Sequence, residues 1–393
     1  MMVYLDGDNN LDYYSFTDVE EMKSVGSTDE VNVIVLWDRY DSGASLFKVV
    51  QGGIEPVYGL QYYGIEVNGL EIDMGDWTML GGFVDFVIEH FPAEHYMLDI
   101  WDHGSPLWGV CYDDHGGYPW GWSCGPIDWN LLTEALRGRT EIDVLAFDAC
   151  DCASVEIAYK LALARQTKAL EIGYLVASEN LVPLTGYPYD QILWELNAMV
   201  DSSDVLEVAC MIADEYAESY GPHGQGSFLG AATLSVIDVY GLLNLRPALS
   251  QLVTLLAEGL QSDYDKYRDL VSDARGEANL PNQYGMLRFV DLPTFTATLA
   301  DSAKDKTVRS LATQVTNQLL QSVVVHVANT PSMESASALG LIVYLPMSQE
   351  GASVWEWYYF WEFEFPWDYG WMPFLYRYWH MEPPYWASQP AAV

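Results

Sequence analysis

Two residue types that can carry out covalent catalysis, a histidine and a cysteine, each follow a short apolar run of the sequence. The run "LDIW" ends at residue 101 and is followed by His103 and Gly104. The run "LAF" ends at residue 147 and leads to Asp148 and to Cys150, 47 residues after the histidine. A histidine can take the proton of a cysteine thiol, and the sulfur then attacks a carbonyl carbon. The pair therefore predicts nucleophilic catalysis, if the fold brings the two runs together.

Short apolar runs predict the strands that must position these residues. They alternate with segments of helical periodicity, which is the pattern of a mostly parallel sheet covered by helices on both faces. Strands are predicted at 3–5, 31–37, 96–101, 142–147 and 172–178, and helices at 15–25, 81–91 and 153–164. Ligands of such sheets bind outside the carboxyl ends of the strands. We expect His103 and Cys150 at that edge, with Cys150 at the start of a helix whose amides stabilise its thiolate.

The chain beyond about residue 190 predicts further helices, one of them through 305–325, and a late strand at 338–346. We place a catalytic core at 1–195, helical and strand additions that complete the sandwich at 196–350, and an aromatic-rich tail at 351–393. Two interpretations of the tail stay open. Its rings either pack as core, or they form a surface that binds a glycan, a peptide or a partner subunit.

The composition excludes several classes of function. The chain has 56 acidic and 17 basic residues, a formal charge of -39, and such a surface repels nucleic acids and anionic membranes. No run approaches the ~20 apolar residues of a membrane helix. The opening "MMVYLDGDNN" has neither the basic nor the apolar region of a secretory signal, so we expect none in this chain.

The cysteines do not form a metal-binding pattern. Their number is odd, no C-x-x-C pair occurs, and the spacings match no common zinc site, so we predict no metal ligands. A disulfide between Cys111 and Cys124 stays open. The five are Cys111, Cys124, Cys150, Cys152 and Cys210.

Several blocks of this sequence, in this order, resemble the clostripain family of cysteine peptidases, which shares a clan with caspases, legumains and gingipains. The most specific are W-D-H-G at 101–104 and F-D-A-C at 147–150, followed by V-E-x-A-Y at 155–159. Weaker blocks are "MVYLDGDNNLDYYSF", "ASENLVPLTGYPY" and "GLIVYLP". The resemblance implies a caspase-like, three-layer α/β/α sandwich with helical C-terminal additions.

The resemblance also implies roles for single residues. His103 and Cys150 are the expected catalytic dyad, and Cys152 is expected to pack or to act as a resolving thiol. The backbone amides of Gly104 and Cys150 are expected to form the oxyanion hole, because a glycine lets its N–H approach the substrate closely. This chain departs from the family's glycine-rich H-G-x-G-W segment, since it has "HGSPLWG" at 103–109.

Asp148 is expected at the base of the S1 pocket, where its carboxylate would select arginine or lysine at P1. The alternative, that Asp148 caps the following helix, stays open. The loop after the next strand, with Ser178 and Glu179, is expected to add a second acid to substrate binding, although the residues that follow it leave the choice between arginine and lysine open.

The predicted function is that of a cysteine endopeptidase that cleaves proteins or peptides after arginine, with lysine as a second P1 residue. Two alternatives are a peptidase of the same clan with another P1 preference, and a non-catalytic binding protein that uses the aromatic tail. The resemblance favours a secreted or cell-surface protein. It leaves the oligomeric state and the need for self-cleavage open.

No cofactor is predicted to be required. Some relatives use calcium, so calcium stays open, but "DGDNNLD" at 6–12 lacks the glycine and the final acid of an EF-hand and is interpreted as a capped turn. Asp113, Asp114 and His115 are interpreted as a pocket wall rather than as metal ligands.

Overall fold

The computed structural model describes residues 1–67, 69–116, 125–139, 142–199, 204–221, 224, 231–280, 288–348 and 355–381. A nine-stranded sheet forms its centre, in the order β12-β10-β9-β8-β5-β1-β2-β3-β4. Two small antiparallel pairs, β6 with β7 and β11 with β13, lie outside it. The strands are β1 (Met2–Gly7), β2 (Ile34–Arg39), β3 (Ser45–Val50), β4 (Gly53–Pro56), β5 (Met97–Trp101), β6 (Gly104–Ser105), β7 (Gly109–Val110), β8 (Ile142–Asp148), β9 (Ile172–Ala177), β10 (Thr233–Asp238), β11 (Phe289–Asp291), β12 (Val324–Asn329) and β13 (Ile342–Tyr344).

Helices connect most of the strands, with a 3₁₀ turn at Leu60–Tyr63 and a π turn at Leu319–Val323. The α-helices are α1 (Asp12–Val25), α2 (Trp77–His90), α3 (Trp129–Leu136), α4 (Val155–Gln166), α5 (Tyr189–Ala198), α6 (Val205–Ser219), α7 (Gly241–Ser262), α8 (Tyr264–Glu277), α9 (Leu292–Ser302), α10 (Lys306–Gln318), α11 (Pro331–Ser335), α12 (Trp355–Glu362), α13 (Phe365–Asp368) and α14 (Trp371–Tyr378). Among the residues that the structure describes, no helix is long and apolar enough to cross a membrane.

The five inner strands, β9, β8, β5, β1 and β2, run parallel, and the outer strands are antiparallel. Successive side chains of a strand point to opposite faces. In β1, Met2 and Tyr4 belong to one buried apolar cluster, whereas Val3 and Leu5 belong to another. The sheet therefore separates two cores, as a strand buried on both faces requires.

Each core is completed by its own set of helices. Helices α1, α5 and α6 bury apolar side chains in the cluster that contains Val3. Helices α2, α3, α4 and α7, together with the C-terminal helices, do so in the cluster that contains Tyr4. The predicted three-layer α/β/α sandwich with a mostly parallel sheet is confirmed, whereas the division of the chain at 195 and 350 stays a prediction.

The outer strands differ from the sequence prediction. Strands β3, β4 and β10 were not predicted, and the helix expected through residue 325 ends as α10 at Gln318. The run Val323–Val325 instead leads into β12, which pairs with β10. β-branched residues fit a pleated sheet better than a helix, and a partner strand decides between the two.

The described part of the aromatic tail packs as core. Tyr359, Phe365, Trp371 and Phe374 have no exposed surface, and the indole N–H of Trp371 donates to the Tyr344 carbonyl at 2.7 Å. These contacts favour the core interpretation over a binding surface for residues 359–381. Residues 382–393 lie outside the described part of the chain.

Replacing the buried Trp371 should destabilise the whole fold. We expect Trp371→Ala to lower the free energy of unfolding by about 3–5 kcal/mol, because it empties a large site in the core and leaves the Tyr344 carbonyl without its donor. Trp361, which is 81% exposed, is the matched control, and Trp361→Ala should change stability by less than about 0.5 kcal/mol. Equal losses in urea unfolding curves of the two variants would contradict this assignment of the tail.

Candidate active site

The pairing of β5 with β8 brings the predicted dyad to one edge of the sheet. The two strands are parallel neighbours, and Trp101 pairs with Asp148 at their carboxyl ends. His103 and Cys150 each lie two residues beyond this pair, so they leave the sheet side by side. A hydrogen bond also joins the two segments, since the Asp102 N–H, one residue before His103, donates to the Asp148 carbonyl at 3.3 Å.

Gly104 packs directly against the turn that holds the cysteine. A Cβ placed on Gly104 would lie 2.5 Å from the Cys150 carbonyl oxygen and 2.9 Å from the Cys152 sulfur. Only a residue without a side chain fits there. Glycine is thus required at position 104 because of this close contact, and not only because its backbone is flexible. The backbones after the histidine and around the cysteine are therefore in close contact, as the expected oxyanion hole of Gly104 and Cys150 amides requires.

Cys150 lies in a turn and not at the start of a helix, which corrects one expectation. Helix α4 begins at Val155, and its N-cap is Ser154, whose Oγ accepts the Ile157 N–H at 3.2 Å. The cap is therefore Ser154 and not Asp148, so the alternative role of Asp148 as the cap of this helix is wrong. Cys152 likewise precedes the helix.

The environment of Cys150 favours the neutral thiol. Burial raises its pKa to about 12, repulsion from Asp151 adds to the rise, and a hydrogen bond from the Val182 N–H to Sγ at 3.3 Å opposes it. The expected stabilisation of a thiolate by helix amides is absent because α4 begins five residues later. The sulfur thus needs a base to remove its proton as it reacts.

His103 is held by a residue that the sequence analysis did not single out. Its Nε2 is 2.9 Å from the side-chain oxygen Oδ1 of Asn10, in the loop after β1. An amide oxygen only accepts hydrogen bonds, so Nε2 carries the proton and Nδ1 has the free lone pair. Burial lowers the pKa of His103, although Asp114 opposes this, so the ring is neutral at pH 7. The sequence carries no signal of this contact, because only the pairing of β1 with β5 brings "DGDNN" beside "WDHG".

Asp148 lies beneath the loop that leads to α5. It is 4% exposed, and its Oδ2 accepts the Tyr187 N–H at 2.8 Å and the Tyr189 hydroxyl at 3.2 Å. Its Oδ1 is buried and has no hydrogen-bond partner. Burial and repulsion from Asp99 raise its pKa well above the usual range. The arrangement leaves one carboxylate oxygen able to accept a further donor.

Ser178 and Glu179 do not join Asp148. The Ser178 hydroxyl bonds the backbone of Asn180 within its own turn. Glu179 is fully buried, its Oε1 accepts the Gly340 N–H at 2.8 Å, and burial and repulsion from Asp291 raise its pKa well above the usual range. The expectation that Glu179 provides the second acid beside Asp148 therefore has no support in these contacts.

Helix α1 supplies acids near Asp148 in place of Glu179. Burial and repulsion from Asp148 raise the pKa of Asp18, which accepts the Trp101 indole N–H at 2.7 Å. Glu21 accepts the Tyr189 N–H at 3.1 Å, and its charge contributes to the raised pKa of Asp148. Sequence reasoning could not choose these acids, because α1 reaches the site only through the tertiary fold.

Two of the other cysteines, Cys152 and Cys111, are buried. Cys152 is fully buried, with Sγ 3.3 Å from the Cys150 carbonyl oxygen, and burial raises its pKa well above the usual range. These surroundings favour a packing role for Cys152 over a role as a resolving thiol. Cys111 is a buried free thiol, and Cys124, the other half of the disulfide left open above, lies outside the described residues.

Comparison with known proteins identifies the family. The model of the clostripain family matches residues 3–379. The chain belongs to the clostripain family. It is 27% identical over 226 residues to clostripain of Hathewaya histolytica, a match that covers 50% of this chain and 42% of that protein. The match thus spans less than half the length of this relative.

Two solved structures share the fold of this clostripain-family chain. A secreted C11 cysteine protease from Bacteroides thetaiotaomicron, in complex with an irreversible peptide inhibitor, has a TM-score of 0.67 and 20% identity, with 94% of this chain and 98% of that chain covered. An inactive zymogen C11 protease from Parabacteroides distasonis has a TM-score of 0.64 and 19% identity, with 93% and 96% covered. The predicted family and the caspase-like sandwich are confirmed.

The protonation state of Cys150 can be measured without a substrate. With a pKa near 12, the rate of its alkylation by iodoacetamide should still be rising above about pH 10, whereas an ordinary thiol levels off past about pH 8.5. Mass spectrometry of the peptide that contains Cys150 gives the rate at each pH. The same peptide in urea-unfolded protein is the control, and a plateau near pH 8.5 in the folded protein would disprove the assignment.

Proposed function

We propose that this protein is a cysteine endopeptidase that cleaves after arginine, and after lysine more slowly. The observation that supports the proposal is the pairing of β5 with β8, because the segments that carry His103 and Cys150 leave the sheet at the same carboxyl edge. Membership of the clostripain family supports the reaction class.

In the proposed reaction His103 acts as general base and then as general acid. Nδ1 takes the thiol proton as Sγ of Cys150 attacks the scissile carbonyl carbon, and the carbonyl oxygen becomes an oxyanion. The amides of Gly104 and Cys150 stabilise that charge. When the C–N bond breaks, the imidazolium gives its proton to the leaving amine, and a thioester remains on Cys150. Water activated by His103 then hydrolyses the thioester and restores the thiol.

Asp148 is the proposed partner of the P1 side chain. Its unpartnered Oδ1 can accept a guanidinium or ammonium N–H, and the cation would favour the ionised carboxylate over the protonated form. Asp18 and Glu21 are further acids near Asp148, and a bound cation would favour their ionised forms as well. Arginine fits better than lysine because its planar guanidinium can engage more than one carboxylate oxygen.

The substrates are therefore proposed to be proteins or peptides with a basic P1 residue. A secreted or cell-surface setting is proposed from the resemblance and from the structural neighbour described as secreted. The highly acidic chain would attract basic substrates in either setting.

A panel of fluorogenic peptides with Arg, Lys, Asn, Asp or Phe at P1 tests the proposal. We expect the parent to prefer Arg, Cys150→Ala to be inactive, and Asp148→Asn to lose about 100-fold in kcat/KM on Arg, the equivalent of about 3 kcal/mol for a lost charged hydrogen bond. Glu179→Gln is the matched acid-to-amide control, and it should keep the preference. If no peptide is cleaved, even after limited trypsin treatment, the binding-protein alternative replaces the peptidase.

Asn10 is proposed as the residue that positions His103. Asn10→Ala should lower kcat about tenfold with little change in KM, since the ring loses its orientation but not its substrate contacts. Asn10→Asp keeps the shape and adds a charge beside Nε2, so it should raise the pKa of His103. NMR titration of the imidazole in a Cys150→Ala background measures that pKa. An unchanged value in Asn10→Asp would show that the 2.9 Å contact is not made in solution.

A further inference from the structure

Residues 182–187, in the loop after β9, form a turn that joins the proposed nucleophile to the proposed P1 acid. At one end of this turn the Val182 N–H donates to Sγ of Cys150 at 3.3 Å. At the other end the Tyr187 N–H donates to Oδ2 of Asp148 at 2.8 Å. A P1 side chain that extends from a carbonyl at Cys150 toward Asp148 would therefore lie along the 182–187 turn.

The tip of this turn is exposed, but its backbone packs on the acid below. The Gly186 N–H donates to the Pro183 carbonyl at 2.9 Å, which closes a β-turn with Leu184 and Thr185 exposed at its tip. Gly186 has a φ of 55°, and a Cβ there would lie 2.5 Å from Oδ2 of Asp148. The turn thus touches the carboxylate that it positions, so a movement of the tip would also move Asp148.

Tyr220, at the carboxyl end of α6, holds the tip of the turn. It is 3% exposed, and its hydroxyl donates to the Gly186 carbonyl at 2.6 Å. The Oγ1 of Thr185 lies 2.8 Å from the same hydroxyl oxygen. Since the single hydroxyl proton of the tyrosine is used on the carbonyl, the threonine hydroxyl is the donor of the second bond. Burial raises the pKa of Tyr220, so this proton stays in place at neutral pH.

A stack of tyrosine rings fixes Tyr220 in its turn. The ring centroids of Tyr220 and Tyr216 are 5.0 Å apart, and those of Tyr216 and Tyr187 are 5.4 Å apart. Edge-to-face contacts of this kind hold aromatic rings in defined positions. Among the described residues, the Tyr216 hydroxyl has no hydrogen-bond partner. The two tyrosines of this stack that belong to the end of α6 therefore differ, because only the hydroxyl of Tyr220 bonds the turn.

We propose that Tyr220 is a positioning residue for P1 recognition, because it holds the 182–187 turn, and through the turn Asp148, in the geometry that favours arginine. The inference rests on the proposed function. A planar guanidinium needs carboxylate oxygens in fixed positions, whereas an ammonium is a point charge that tolerates a rotated carboxylate. Release of the turn should therefore weaken the recognition of arginine more than that of lysine. Specificity would then depend on a residue outside the catalytic core predicted at 1–195.

Two tyrosine-to-phenylalanine variants test the inference on fluorogenic peptides with Arg or Lys at P1. Tyr220→Phe removes the hydroxyl that bonds the turn and keeps the ring. Tyr216→Phe removes a hydroxyl without a partner, so it is the matched control. We expect Tyr220→Phe to raise KM for the Arg peptide about tenfold with kcat within about twofold, and to lower the Arg-to-Lys ratio of kcat/KM about fivefold. Tyr216→Phe should keep the values of the parent.

Thr185→Val tests the same contact from the exposed side of the turn. It removes the second bond to Tyr220 and leaves the bond to the Gly186 carbonyl, so it should lower the Arg-to-Lys ratio in the same direction but by less. The position is exposed, and the variant should therefore fold normally. It decides the question if urea unfolding curves show that Tyr220→Phe does not fold.

Amide hydrogen exchange of the peptide that contains the 182–187 turn needs no substrate. The amides of Gly186 and Tyr187 should exchange about tenfold faster in Tyr220→Phe than in Tyr216→Phe, because the turn opens locally. If the parent cleaves neither peptide, the proposed function and the role in P1 recognition both fail, while faster exchange would still show that Tyr220 holds the turn. If the parent cleaves and the two variants have equal Arg-to-Lys ratios, the inference is overturned and the proposed function stands.

Discussion

Hydrogen bonding between β5 and β8, with Trp101 opposite Asp148, is the constraint on which the site depends. In a parallel pair the register decides both how far each chain extends past the sheet and which face each side chain takes. A shift by one residue would turn the side chains after β8 to the opposite face. The buried apolar runs of both strands oppose such a shift, because it would move core residues between the two layers. Packing of the sheet thus fixes where His103 and Cys150 lie.

Burial determines which groups of the site are charged. The chain has few basic residues, and the acids that the fold buries near the sheet edge are balanced mainly by hydrogen bonds and by protons. The same desolvation raises the pKa of Cys150 and lowers the pKa of His103, so both partners are uncharged at rest. In the proposed reaction a neutral pair requires proton transfer during the attack, in contrast to a preformed thiolate and imidazolium. The difference follows from where α4 begins, five residues after Cys150.

The sequence predicted the inner strands and the segments that follow them, because buried parallel strands are continuous apolar runs that local pattern identifies. It did not predict β10, and it extended a helix over residues 324 and 325, which belong to β12, since a partner strand decides those residues. His103 was singled out by its type and its distance from Cys150, whereas the role expected of Asp148 came from the resemblance to the clostripain family. Asn10 and Asp18 were not, because each reaches the site from a different element, and no spacing along one segment encodes that meeting. The role expected of Glu179 stays a prediction without support in its contacts, which join it to Gly340 and not to Asp148.

The core that contains Tyr4 is completed only by residues near the C-terminus, and this affects the order of folding. Tyr359 bonds Glu156 on α4 at 3.0 Å, and Trp371 packs into the cluster beneath that helix. While the chain is being synthesised, the helix that follows Cys150 therefore lacks its cover until about residue 371 has emerged. Domains generally fold as units during synthesis, but here the N-terminal segments must wait for a late one. The turn around Cys150 thus has its complete support only after about residue 371 has left the ribosome.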